Sequence, residues 1–167
     1  MTARAFFPLV GALALLVAGC SGQPKQEPSS PADVADIPSR YQQARDGAPP
    51  MPIDPADVHD AVLKPDPILS VGNASPYVIA GVSYDILSSH KGYSATGTAS
   101  WYGAKFHGHQ TSNGEIYNLY LASAAHKTLP IPCYARVTNL SNGKSIIVRV
   151  NDRGPFHSER LIDLSYG

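Results

Sequence analysis

Residues 133–152 read CYARVTNLSNGKSIIVRVND, two runs of β-branched and apolar residues on either side of Asn142-Gly143. Asn-Gly is the favoured pair for a two-residue type I′ turn, because both positions need positive φ and these residues tolerate it best. The stretch therefore predicts a β-hairpin in which Ser141 faces Lys144. Side chains alternate across a strand, so Ala135 and Val137 would oppose Val150 and Val148 on one apolar face, and Arg136 would meet Arg149 on the other. Such a like-charge pair is unfavourable unless water, a carboxylate or an anionic ligand separates the two. Solvated arginines are the plain reading, with Asp163 or Glu159 as the expected counter-charge otherwise.

The same parity carries Ile146, Val148 and Val150 on to Asp152. An acid at the mouth of an apolar face is partly desolvated, which favours its protonated form, and a general acid needs that proton. A turn-forming Asp at the corner Asn151-Asp152-Arg153-Gly154-Pro155 is the competing reading, and spacing leaves both open. Upstream, residues 77–87 read YVIAGVSYDIL, with Ala80-Gly81 at the bend of a second hairpin. Short β-type runs broken by Gly, Asn and Pro continue from Gly97 to Gly167, which predicts a small all-β unit.

The rest of the chain cannot join that core. Of 15 prolines in 167 residues, 11 fall between positions 21 and 80, and proline neither donates to a ladder nor sits inside a helix. Residues 21 to about 70 thus read as a polar, acidic, semi-extended linker. The 13 basic and 13 acidic residues balance, but an acidic middle and a basic end hide in that zero. Neither end has the charge of a nucleic-acid-binding tail, so no nucleic acid partner is expected. Residues 5–19, AFFPLVGALALLVAG, form a short apolar run behind Arg4, the build of a secretory leader and not of a membrane-spanning helix. Val17-Ala18-Gly19-Cys20 resembles a bacterial lipobox, in which Cys20 becomes the lipid-modified first residue. Ser21 after it implies export to the outer membrane, with the domain in the periplasm, and acyl chains would hold it there.

Four blocks in order, GTASWYGAKFHGHQTSNGEIYN (97–118), ASAAHKTLPIP (122–132), VTNLSNGKSIIVRVNDRGPF (137–156) and RLIDLSYG (160–167), resemble the rare lipoprotein A family. The resemblance implies a mostly β fold, a double-psi β-barrel of the expansin kind, here C-terminally incomplete because family members continue with a helix and a last strand. The expected organisation is a signal peptide at 1–19, lipidated Cys20 and a disordered Pro-rich linker to 70, a lead-in hairpin at 71–94, and the barrel at 95–167. A barrel lacking its last strand is expected to be destabilised.

The same resemblance implies a lytic transglycosylase of peptidoglycan, cleaving the β-1,4 bond after N-acetylmuramic acid to leave a 1,6-anhydro end and preferring strands without stem peptides. Its functional positions fall on Glu115 of SNGE, His126 of AAH and Asp152 of NDRG. A hydrolase needs two carboxyl groups. When the substrate's own 6-hydroxyl attacks, one carboxyl can donate a proton and then accept one, a role assigned to Asp152. Glu115 would stabilise the oxocarbenium-like charge or exchange roles with Asp152, and His126 would orient a carboxyl or bind sugar. Trp101, Tyr102 and Phe106 are candidates to stack on sugar rings, although such rings are as often core. Asn113, Asn151 and Arg153 are candidates to bond sugar substituents. Expected partners are glycan strands, the membrane through the anchor, and divisome proteins. The competing function is a non-catalytic peptidoglycan-binding scaffold.

Three other signals carry less. His107-Gly-His109 puts two imidazoles on one strand face, but no third ligand at usual spacing or cysteine pair is evident, so neither metal nor cofactor is expected unless His126 completes the set. Cys133 reads as a small buried hydrophobe, not a nucleophile. Asn73-Ala-Ser and Asn139-Leu-Ser fit a glycosylation pattern that a bacterial lipoprotein signal makes coincidental.

Overall fold

A computed structural model of the protein describes residues 45–167. Cys20, the leader and the linker to residue 44 lie outside the described residues. Two short strands, β1 (Tyr77–Ile79) and β2 (Val82–Tyr84), form an antiparallel hairpin. Its turn is where both central residues take positive φ, Ala80 at 48° and Gly81 at 81°, the geometry that matches the twist of two strands.

Five further strands build the domain: β3 (Thr98–Trp101), β4 (Ser123–His126), β5 (Cys133–Thr138), β6 (Ser145–Asp152) and β7 (Arg160–Leu164). They lie in the order β3-β7-β4-β6-β5, with β3–β7 and β4–β6 parallel and β4–β7 and β5–β6 antiparallel. This mixed sheet curls into a half-barrel, the double-psi fold that the sequence implied. Among the described residues the only helical elements are two 3₁₀ turns, Pro55–Asp57 and Ala104–Phe106, and no helix is long and apolar enough to cross a membrane. The edge strands β3 and β5 flank an open cavity of about 770 Å³.

The β5–β6 hairpin forms, but two residues out of the expected register. Ala135 faces Val148, Val137 faces Ile146 and Tyr134 faces Arg149. Asn142 does not take positive φ; Gly143 alone in this loop does, at 71°. The Asn139 side chain instead accepts from Ser141 N at 2.9 Å and Ser141 Oγ at 2.7 Å, and Asn139 N donates to Lys144 O at 2.8 Å. Leu140–Gly143 thus form a four-residue loop, built on a side chain that mimics a backbone turn. A slip of two preserves alternation, so the apolar face survives. What it removes is the Arg136–Arg149 pair: Arg136 faces Ile147, and the counter-charges of Arg149 are Glu115 and Asp66, not Asp163 or Glu159.

That face, with Ala124, Leu129, Ile131, Cys133 and Ile162, makes the main core. Burial pushes the Cys133 thiol up to about 11, the state of an inert small hydrophobe. A second cluster packs Tyr102, Ala104, Tyr117, Leu119 and Ala125, with the Tyr102 and Tyr117 rings stacked at 4.2 Å.

Residues 45–70, where a linker was expected, lie along the barrel. Asp46 accepts from Gly103 N at 2.8 Å and Lys105 N at 3.0 Å, and Ala104 N donates to Gly47 O at 2.9 Å. Further on, Ala61 N donates to Ile147 O at 2.8 Å and Ile147 N to the Asp60 carboxylate at 2.7 Å. Asp66 reaches Arg149.

Candidate active site

β6 ends at Asp152, and the parallel partner β4 sets Ala125 beside it. Ala125 also faces Asp163 of β7, so its small side chain separates two acids on one sheet face. Asp163 is half-buried, and the loss of solvent raises its pKa; its inaccessible Oδ1 has no hydrogen-bond partner. Asp152 is instead fixed through a single oxygen. Its Oδ1 accepts from Ser112 N at 2.8 Å, Ser112 Oγ at 2.6 Å and its neighbour Arg153 N at 2.8 Å. The acid lines a cleft of about 300 Å³ together with Phe106, His109, Gln110, Thr111, Ser112, Tyr117, Arg153 and Phe156.

The pairing of β6 with β4 shifts register between Val150 and Asp152, and Arg149 and Asn151, alternate residues of β6, both meet Glu115. Arg149 holds it with Nη2 at 2.6 Å and Nε at 3.1 Å, Asn151 Nδ2 donates at 2.8 Å, and Asn113 Nδ2 at 2.9 Å. Burial by itself would raise the Glu115 pKa, but these donors outweigh it and hold it at about 2. Glu115 is therefore an anion at neutral pH. The loop 111–115 joins the two acids, since Ser112 binds Asp152 while Asn113 binds Glu115.

His126 points elsewhere. Its imidazole lines the larger cavity and not the Asp152 cleft. Nδ1 accepts from Thr128 N at 3.1 Å and Leu129 N at 3.0 Å, and Nε2 meets Tyr93 Oη at 3.1 Å. Two amide donors at Nδ1 require a neutral ring with its proton on Nε2. Burial and then the nearby Arg153 and Lys127 charges push its pKa down to about 4. The ring shapes the turn after β4, whose carbonyls at His126 and Leu129 accept from Arg153 Nη1.

Arg153 spends its remaining donors on Gly72 O and Asn73 Oδ1, at 2.8 Å each, and lies 5.8 Å over the Tyr77 ring. It ties the β1–β2 hairpin to the barrel at the cleft's edge. Asn151 is buried, and its Oδ1 has no partner. Of the aromatic candidates, Phe106 lines the cleft, Tyr102 is buried in the second core cluster, and Trp101 is 48 % exposed, edge-on to Tyr166 and away from the cleft. His107 turns inward and accepts from Leu119 N, whereas His109 lines the cleft; the pair does not share a site.

Sequence reasoning passed over Ser112, Phe156 and Asp66. Ser112 opens the SNGE motif itself and Phe156 closes the NDRG block, so membership of those motifs was their signal. Phe156 is half-exposed at the cleft, with Tyr84 and Tyr77 behind it at 5.7 and 6.4 Å. Asp66 gave no signal within its Pro-rich surroundings.

Comparison with known proteins agrees with this architecture. A family profile described as lytic transglycolase matches residues 94–167. The chain is 49 % identical over 157 residues to an endolytic peptidoglycan transglycosylase RlpA of Pseudomonas aeruginosa (strain UCBPP-PA14), covering 94 % of this chain and 46 % of that protein. It is 50 % identical over 154 residues to the protein of that name from Vibrio cholerae serotype O1, covering 92 % and 53 %. A third, from Neisseria meningitidis serogroup B, is 55 % identical over 106 residues, 64 % of this chain and 44 % of the relative. The chain spans about half the length of these curated relatives. With half its residues shared along nearly its whole length and the β-barrel at 94–167 matching the family profile, this chain is similar to the rare lipoprotein A proteins throughout the matched span.

Proposed function

We propose that this chain carries an endolytic lytic transglycosylase acting on the glycan strands of peptidoglycan. The observation that carries the reading is Asp152: an acid fixed through one oxygen, lining a cleft between Phe106 and Phe156. Related chains named as peptidoglycan transglycosylases support the substrate class.

In the proposed reaction Asp152 donates its proton to the glycosidic oxygen as the C1–O4 bond breaks. The 6-hydroxyl of the same N-acetylmuramic acid then attacks C1, and its proton returns to Asp152 as the C1–O6 bond closes. No water is consumed, and a single acid/base suffices. Glu115, held as an anion, supplies negative potential while C1 carries positive charge; having no proton at neutral pH, it does not exchange roles with Asp152. Asn151 and Asn113 fix Glu115, and Arg153 holds the amide that bonds Asp152. In this reading they and His126 organise the site, while Phe106 and Phe156 offer ring faces to the sugar.

The preference for strands without stem peptides, attachment to the outer membrane through Cys20, a periplasmic domain and divisome partners complete the reading; they rest on the lipobox and on the family. The decisive experiment is Asp152→Asn. It should abolish release of 1,6-anhydro products from amidase-treated sacculi, read by mass spectrometry, while retention on the sacculi persists. Undiminished product ends the assignment, and wild-type retention without any soluble product favours the scaffold reading.

A further inference from the structure

The segment ahead of the hairpin touches both walls of the site. At one end, the Asp46 carboxylate and Gly47 carbonyl take the N–H groups of Gly103, Ala104 and Lys105. These open the 3₁₀ turn that presents Phe106 to the cleft. The approach is close enough that a Cβ on Gly103 would lie 2.2 Å from Gly47 O. At the other end, Asp66 grips Arg149 Nη1 and accepts from Tyr134 Oη at 3.0 Å, while Tyr134 Oη itself takes Arg149 Nη1 at 2.6 Å. The opposite edge of the same guanidinium, Nε and Nη2, holds Glu115. Between the two ends, Asp60 and Ala61 pair with Ile147, two residues from Arg149 on β6.

A guanidinium presents its donors in a rigid planar fork, so fixing one edge fixes the direction of the other. Arg149 with Glu115 alone could swing about their contact. With Asp66 and Tyr134 on its far side it cannot, and the Glu115 carboxylate is held at one place. We propose that this segment is a strap whose two gripping stretches, Asp46-Gly47 and Asp60–Asp66, belong to the catalytic unit, in which Asp66 is a positioning residue that sets Glu115 through Arg149. Asp66 lies outside the 94–167 span of the family profile, so the functional unit begins well before the barrel. The inference rests on the transglycosylase reading for its effect on turnover, but its structural half does not.

The test compares the full chain with Asp66→Asn, Tyr134→Phe and, as a control, Asp57→Asn, an exposed strap acid at the Pro55–Asp57 turn. Solubilised denuded glycan strands serve as substrate, and the Arg149 Nε–H resonance is followed by NMR. Asp66→Asn should lower kcat on the order of ten-fold with KM changed less than about two-fold, and should speed exchange of the Arg149 Nε–H with water. Tyr134→Phe should move both readouts the same way by less, and Asp57→Asn neither. An unchanged kcat with only a lower melting temperature, or a loss of kcat equalled by Asp57→Asn, overturns the proposal. If the wild-type chain yields no lytic product, the transglycosylase reading has failed; the Nε–H readout then decides alone, and an unchanged exchange rate in Asp66→Asn overturns the strap.

Discussion

Ser112 shows how much of the site is carried by a residue without chemistry of its own. Its N–H and hydroxyl both meet Asp152 Oδ1, and its Oγ also accepts from Arg153 N at 3.1 Å. Ser112→Ala should therefore lower kcat, with KM little changed, by roughly ten-fold or more, the scale of one hydrogen bond to a charged group. Steady-state kinetics on soluble glycan strands checks it. The three candidates, Asp152 and Glu115 as acids and His126 as an orienting or sugar-binding group, were named from their motifs. Their division was not. The register shift between Val150 and Asp152 interrupts the alternation that the sequence predicts, Glu115 reaches Arg149 across 34 residues of sequence, and nothing local announces either. The imidazole's turn away from the cleft depends on two amides that follow it and on Tyr93.

At the scale of elements, the two hairpins test turn chemistry in opposite ways. Ala80-Gly81, the poorer sequence for positive φ, makes the two-residue turn, whereas Asn142-Gly143 does not. Asn139 explains the difference: its side chain offers hydrogen bonds that stabilise a longer loop, and a two-residue slip is neutral for the apolar face. Local propensity could not rank these alternatives, because both keep the same residues buried. Two glycines separate backbone cost from crowding. Gly143 sits at φ 71° with open space around it, so Gly143→Ala should lose only about 1 kcal/mol, for the left-handed backbone, and leave activity intact. A Cβ on Gly72, at φ 75°, would lie 2.5 Å from Ser112 O. Gly72→Ala should cost more stability and also activity, since it presses on the loop that holds Asp152. Urea unfolding beside turnover reads both.

For the whole molecule, acid is the informative stress. His126 has a folded pKa of about 4 against an ordinary 6.5. The unfolded chain therefore binds the proton first, and the stability this neutral ring preserves is complete above pH 6.5 and lost as pH falls toward 4. Being 3 % exposed, the ring contributes up to about 3 kcal/mol over that window. Glu115 continues the loss below it: its depressed pKa gives stability present above about 4.5 and lost as pH falls through about 2. Urea midpoints should thus fall between pH 6.5 and 4, and His126→Gln should flatten that decline. A midpoint that stays level from pH 7 to 4 in the wild-type chain would contradict the buried neutral ring.

The sequence alone determined the β class, the apolar face of β5 and β6, and the family resemblance, because alternation has a period of two and motifs are contiguous; the register shift before Asp152 lay beyond it. Tertiary structure decided the hairpin register, the partners of Arg149, the direction of His126 and the place of residues 45–70 against the barrel. Each of these is a choice between local alternatives of similar free energy, and only contacts between residues far apart along the chain make one of them win.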